Sequence, residues 1–192
     1  MQACPNFVSL MRFRLDEPGH HVRAYDPTMT MPAGVLLRPA TPDDAEAGAR
    51  LHIACWREVY GPLTEPDLLA THLADEAAWA ERWRQQVEDG PTRLLAVADG
   101  ELVGFGVAGP ARHDDVTAAH ELYAIYVRAA WHGTGVGTAL LDGVLGDAAA
   151  YLWVHEENAR AEAFYRRHGF TADGVRQRYE PLGAWERRLV RP

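Results

Sequence analysis

Three glycines at alternate positions, Gly133, Gly135 and Gly137, stand in the run WHGTGVGTALL, where a strand-like stretch gives way to an apolar, helix-like one. A strand that turns through glycines into a helix points free backbone N–H groups and the positive end of the helix dipole at one place, an arrangement that holds an anion such as a phosphate. Glycine removes the side chains that would block the approach, and Thr138 adds a hydroxyl. Two familiar phosphate loops fit the spacing poorly. A Walker loop places a Lys directly before its Ser/Thr, but Gly137 precedes Thr138. A G-x-G-x-x-G dinucleotide fingerprint counted from Gly133 ends on Thr138, and counted from Gly135 it ends on Leu140. Glu156 and Glu157 lie where a ribose-binding acid would fall, yet too few residues follow them for the second half of such a fold, so a dinucleotide-binding protein stays only as an alternative.

The elements that must position this turn are legible from periodicity. Val35–Arg38 reads as a short strand, followed by Thr41 as N-cap, Pro42 at the first helical position and Asp43 and Asp44 at the positive helix end. Ala45, Ala49, His52, Ile53, Trp56, Val59 and Tyr60 recur at helical spacing until Gly61 and Pro62. A second helical region, Glu65 to Asp89, breaks near Asp75 and stacks Trp79, Trp83 and Val87 on one face. Arg93–Ala98 and Leu102–Gly109 form a hairpin through Asp99-Gly100, and ELYAIYV, Glu121 to Val127, is a strand leading into the glycines. Beyond them we expect a helix over Val136–Ala150, a buried strand over Tyr151–His155, a helix over Ala159–His168 closed by Gly169, and two strands over Thr171–Leu189.

Composition narrows what the turn serves. At 192 residues, 47% hydrophobic and 24% charged, the chain suits one soluble domain, and no apolar run reaches the roughly 18–20 residues that span a bilayer. A formal charge of −8 with no Lys/Arg block argues against nucleic acid and leans toward a cationic partner such as an amine. Cys4 and Cys55 give neither a disulfide framework nor metal spacing, and no signal peptide is evident, so a cytoplasmic protein is expected. Residues 1–33, with four prolines and no sustained period, read as an irregular N-terminal extension. An upstream start site explains that extension, and an arm packing on the partner in a homodimer is the alternative. His113, Asp114, Asp115 and His120 match no ligand spacing, and no metal is assigned.

Two motifs in the right order carry a resemblance. HGTGVG, His132 to Gly137, resembles the Arg/Gln-x-x-Gly-x-Gly/Ala signature of the GNAT N-acetyltransferase superfamily, and NARAEAFYRRHGF, Asn158 to Phe170, resembles its second motif. The element order from Val35 to Leu189 is similar as well. The resemblance implies an α/β (α+β) domain over 34–192, with a mixed, mostly antiparallel sheet splayed between ELYAIYV and LWVHE and flanked by helices. Acetyl-CoA would lie in the gap as co-substrate.

By the same resemblance, Ile125, Tyr126 and Val127 would line the pantetheine arm, with backbone groups of Ile125 and Val127 pairing to it and the Val127 N–H facing the thioester oxygen. Amides of His132, Gly133, Thr134, Gly135, Val136, Gly137 and Thr138 would hold the pyrophosphate, and the Asn158 side chain would contact the arm or the thiol region. Arg128, Arg160 and Arg167 are candidate partners for the phosphates. Tyr165 occupies the position whose hydroxyl protonates the departing thiolate, its neighbour Phe164 turned about 100° away toward the core. Glu121 is the candidate base that deprotonates the acceptor through water, or else a strand-edge acid without catalytic duty. His132 departs from the pattern, standing where Arg or Gln is usual. Trp56, Tyr60 and the His113–Asp115 loop would border the acceptor, a small-molecule amine or a protein N-terminus or lysine. The reaction implied is direct attack of that amine on the thioester in a ternary complex. A non-catalytic acyl-CoA-binding module is the alternative, disfavoured because Tyr165 and Asn158 are present.

Overall fold

The structure is a computed structural model that describes residues 34–192; the extension expected over 1–33 lies outside the described residues. After β1 (Val35–Pro39) come a single 3-10 turn (Pro42–Asp44), α1 (Ala45–Tyr60), α2 (Pro66–His72) and α3 (Glu76–Asp89). The hairpin β2 (Arg93–Ala98) and β3 (Glu101–Pro110) leads to β4 (His120–Val127), α4 (Val136–Leu145), β5 (Ala150–His155), α5 (Ala159–Arg167), β6 (Thr171–Tyr179) and β7 (Ala184–Arg191). The seven strands form one sheet in the order β1-β2-β3-β4-β5-β7-β6. Every neighbouring pair is antiparallel except β4 and β5, which run parallel.

Local chemistry sets the element ends. The Asp44 carboxylate accepts the Thr41 N–H at 2.8 Å and is gripped by Arg38, so Thr41 caps the 3-10 turn and α1 begins only at Ala45. Asp75 caps α3 by accepting the Ala78 N–H at 2.9 Å, which produces the break expected there. Asp99 (φ +50) and Gly100 (φ +82) take the positive angles of a tight hairpin. The helix expected to reach Ala150 stops at Leu145, because Gly146 (φ +53) turns the chain back toward β5.

Helices cover both faces of the sheet. On one, α1 and α3 pack Trp56, Trp79 and Trp83 against Phe105 and Val107 of β3. Helix α3 approaches so closely that a Cβ on Gly48 would lie 2.4 Å from the Trp83 ring. His52 is buried among these rings and accepts the Trp56 indole N–H at 2.9 Å; burial first, then nearby arginines, push its imidazole well down, so it stays neutral. On the other face α4 and α5 cover Leu122, Ile125, Leu152, Phe170 and Leu189.

Two irregularities open the sheet at its centre. The β3–β4 register shifts between Val107, opposite Ala124, and Ala108, opposite Leu122, leaving Tyr123 as an extra residue that bends β4. Pairing of β4 with β5 runs only from His120–Ala150 to Leu122–Leu152. From there β4 continues beside β3 alone and β5 beside β7 alone, so a gap lies between them.

Candidate active site

The gap edge is written in the strand alternation. Arg128 donates its N–H to Val103 at 2.9 Å, which makes every second residue back along β4, including Tyr126 opposite Phe105, a pair hydrogen-bonded to β3. Ile125 and Val127 have the other parity, so their N–H and C=O groups point into the gap. One of these four groups is already used. The imidazole Nε2 of His132 donates to the Val127 carbonyl at 2.9 Å, tying the turn to the strand end. Tyr126 contributes a ring rather than a backbone group: its hydroxyl lies 3.3 Å from that of Tyr60.

At the end of this edge is the glycine turn. Gly133 (φ +78) and Gly135 (φ +100) take angles that side-chain-bearing residues rarely adopt, and Gly135 is the N-cap of α4 without any side-chain cap. The first helical bond closes from Ala139 to Gly135. Among the described residues nothing accepts the N–H groups of Gly133 to Thr138, so six donors converge there. Three expectations change in detail. The His132 N–H is spent on the Ala129 carbonyl at 3.1 Å, so the cradle starts at Gly133. The Thr138 hydroxyl is paired with His168 Nε2 at 3.1 Å, and His168 Nδ1 donates to the Phe164 carbonyl at 2.8 Å. Gly137 lies against Phe164, where a methyl would make ordinary contact at 3.4 Å, so its place is in helix packing.

The arginines divide similarly. Arg128 is paired with Glu58 at 2.8 Å, whereas Arg160 lines the gap and Arg167 is exposed on α5.

The walls of the gap come from both halves of the sheet: Tyr60 of α1, Tyr126 of β4, Trp153 and His155 of β5, and Asn158 and Tyr165 of α5. The Asn158 side-chain oxygen caps α5 by accepting the Ala161 N–H at 3.0 Å, which leaves the amide NH2 as its donor. Burial, then the neighbouring Tyr60, push the Tyr165 hydroxyl well above the ordinary tyrosine range. Its hydroxyl makes no hydrogen bond among the described residues.

Glu121, expected as a base acting through water or as a strand-edge acid, is buried and hydrogen-bonded. It is 1% exposed; its Oε2 accepts Arg112 Nε at 2.8 Å and the Tyr151 hydroxyl at 2.6 Å, and its Oε1 accepts Arg112 Nη2. Tyr151 also receives the Arg112 N–H at 2.9 Å and lies 3.0 Å from His113 Nδ1, so the loop before β4 is clamped across β5. Of the residues expected at the acceptor side, Tyr60 reaches the gap, Trp56 stands behind it at 5% exposure, and Asp115 is bound to Arg188. No cluster of metal-binding side chains occurs among the described residues, and no helix there is long and apolar enough to cross a membrane. Sequence reading missed Arg112 and Tyr151, the partners of Glu121.

A strand edge left open beside a splayed partner and ending in a run of free amides suits an extended ligand with an anionic tail. Residues 50–170 match the Acetyltransferase (GNAT) family, and the chain belongs to that family: it is an acetyl-CoA-dependent acetyltransferase. It is 33% identical over 151 residues to an aminoglycoside N(6')-acetyltransferase type 1 of Stenotrophomonas maltophilia, covering 70% of this chain and 84% of that protein. A mycothiol acetyltransferase of Pseudarthrobacter chlorophenolicus is 32% identical over 167 residues, which are 81% of this chain and 48% of that protein. Among solved structures, the PaiA N-acetyltransferase of Thermoplasma acidophilum in complex with coenzyme A has a TM-score of 0.60 at 17% identity, covering 80% of this chain and 97% of that one.

Proposed function

We propose that the chain is an N-acetyltransferase that moves the acetyl group of acetyl-CoA to a primary amine on a small molecule. The amine, uncharged once its ammonium proton has passed to solvent water, attacks the thioester carbon directly while both substrates are bound; the C–S bond breaks and the surplus proton on nitrogen leaves to water. The resemblance to an aminoglycoside N(6')-acetyltransferase supports a small-molecule amine as acceptor. The observation that carries the reading is that the free backbone groups of Ile125 and the Val127 N–H lead into six free amides, because a pantetheine arm and its pyrophosphate need those two features end to end.

In this reading Ile125 and the Val127 N–H pair with the arm as an added strand. The Val127 N–H then opposes the charge that grows on the thioester oxygen, a donor fixed in place before reaction. His132 holds that end of the strand through its carbonyl, so the turn and the edge move as one body. The amides of Gly133 to Thr138 and the dipole of α4 meet the pyrophosphate. The Asn158 NH2 stays available for the arm. Tyr165 gives its proton to the departing thiolate; its raised pKa keeps the proton on until a strong base develops beside it.

Tyr165 supports this role, since a hydroxyl on the gap wall without a structural partner has no evident use in binding alone. Isothermal titration with acetyl-CoA, followed by thiol-release assays over a panel of primary amines, tests the proposal. Absence of binding would sink it, and binding without thiol release for any amine would exclude a primary amine as acceptor.

A further inference from the structure

Carboxylates in and around the cleft are almost all neutralised. On the α1 side Glu121 is paired with Arg112, Asp115 and Asp173 with Arg188, and Glu58 with Arg128. On the opposite face Glu156 and Glu162 are held by Arg176, Arg187 and Arg166. Glu157 is unpaired but exposed, so Glu186 of β7 is the partly buried exception. It is half-buried, accepts one hydrogen bond from Gln177 Nε2 at 2.9 Å, and has no cationic partner among the described residues.

Its surroundings come from four other elements. Opposite it stand His155 of β5 and Gln177 of β6. Tyr60 of α1 and Tyr179 of β6 feel its charge, and the charge of Glu121 of β4 also reaches it. Tyr60 and Tyr179 both pack on Trp56, with ring centres 4.9 and 6.3 Å from it, so they form one aromatic wall. His155 cannot serve as counter-ion: its Nδ1 accepts the Glu157 N–H at 3.1 Å, and burial lowers its pKa. A carboxylate withdrawn from water without a cation is costly, and tyrosine faces beside it attract cations.

We propose that Glu186, backed by the Tyr60 and Tyr179 wall, receives the acceptor as its ammonium, which gives a proton to solvent water before the nitrogen attacks, so that the acceptor is a cationic primary amine. This rests on the transferase reading above and names its substrate class. The ammonium supplies the missing counter-ion, while Gln177 keeps the carboxylate oriented.

The test is steady-state acetylation by the full chain at saturating acetyl-CoA. Kanamycin, spermidine and benzylamine serve as cationic acceptors, with aniline as one that is uncharged at neutral pH. Wild type should favour the cations. Glu186→Gln, which can still accept from Gln177, should raise KM for them about ten- to hundredfold, the loss of a charge-assisted hydrogen bond. Its KM for aniline and its acetyl-CoA Kd should stay within twofold of wild type, and Glu186→Asp should recover part of the loss. Unchanged KM for the cations in Glu186→Gln, or an equal loss for aniline, would overturn the assignment. So would a wild type that binds acetyl-CoA yet acetylates none of the cations. A wild type that binds no acetyl-CoA overturns the transferase reading, and this inference with it.

Discussion

Tyr165 and His132 show how far a residue's type and spacing reach. Tyr165 was placed seven residues after Asn158 by motif, and the fold sets both on one wall of the gap. Tyr165→Phe removes the proton and leaves the ring packed on Phe164 and Phe170. We expect kcat to fall by about 10²-fold, with the acetyl-CoA Kd, read by titration calorimetry, within twofold of wild type. An unchanged kcat would assign thiolate protonation to solvent. His132 looked anomalous in the sequence because only its backbone had an expected use, but its side chain has the structural task of holding the Val127 carbonyl. The sequence could not display what surrounds Glu121. Its partners Arg112 and Tyr151 lie on a loop and a neighbouring strand, and only the β4–β5 pairing brings all three together.

Elements were easier to read than their partnerships, since helix and strand periods are local and pairing is not. The break at Asp75, the hairpin at Asp99-Gly100 and the strand into the glycine turn all stand where periodicity and turn chemistry put them. The missed end of α4 at Leu145 came from reading apolar composition past Gly146, whose positive φ ends the helix. Two substitutions test what holds these elements. Gly135→Ala forces a Cβ into φ +100, costing roughly 1–2 kcal/mol. It should weaken acetyl-CoA binding several-fold in calorimetry, because relieving the strain tilts the amides of the cradle. Asp44 couples the 3-10 turn to β1. Its carboxyl is held down to about 2 by the Arg38 hydrogen bonds first, against an ordinary value of 3.8. A carboxyl with a lowered folded pKa stabilises above its unfolded pKa and loses that contribution as pH falls through the folded one. In denaturant titrations Asp44→Asn should therefore be less stable than wild type at neutral pH, and the difference should shrink as pH drops from about 4 to about 2.

At the scale of the whole described chain, the decisive feature is a sheet that stays continuous from β1 to β6 although its two halves share only three residue pairs, His120–Ala150 to Leu122–Leu152. Periodicity gives no hint of that splay; it came from the family resemblance, and the Tyr123 bulge with early loss of β4–β5 pairing is its physical cause. Backbone groups left at such an edge must find water or a ligand. Hydrogen exchange should expose the consequence directly. Without ligand, the Ile125 and Val127 amides should exchange fast, while Tyr126 between them, paired to Phe105, exchanges slowly. At 100 times the Kd of acetyl-CoA, binding adds about 2.7 kcal/mol to global stability, and all three amides gain from that. Ile125 and Val127 should gain well beyond this amount, because they acquire a partner, whereas Tyr126 should gain no more than the global increment. Equal gains at the three positions would mean that the arm does not pair with β4, and the site would have to be rebuilt around the glycine cradle alone.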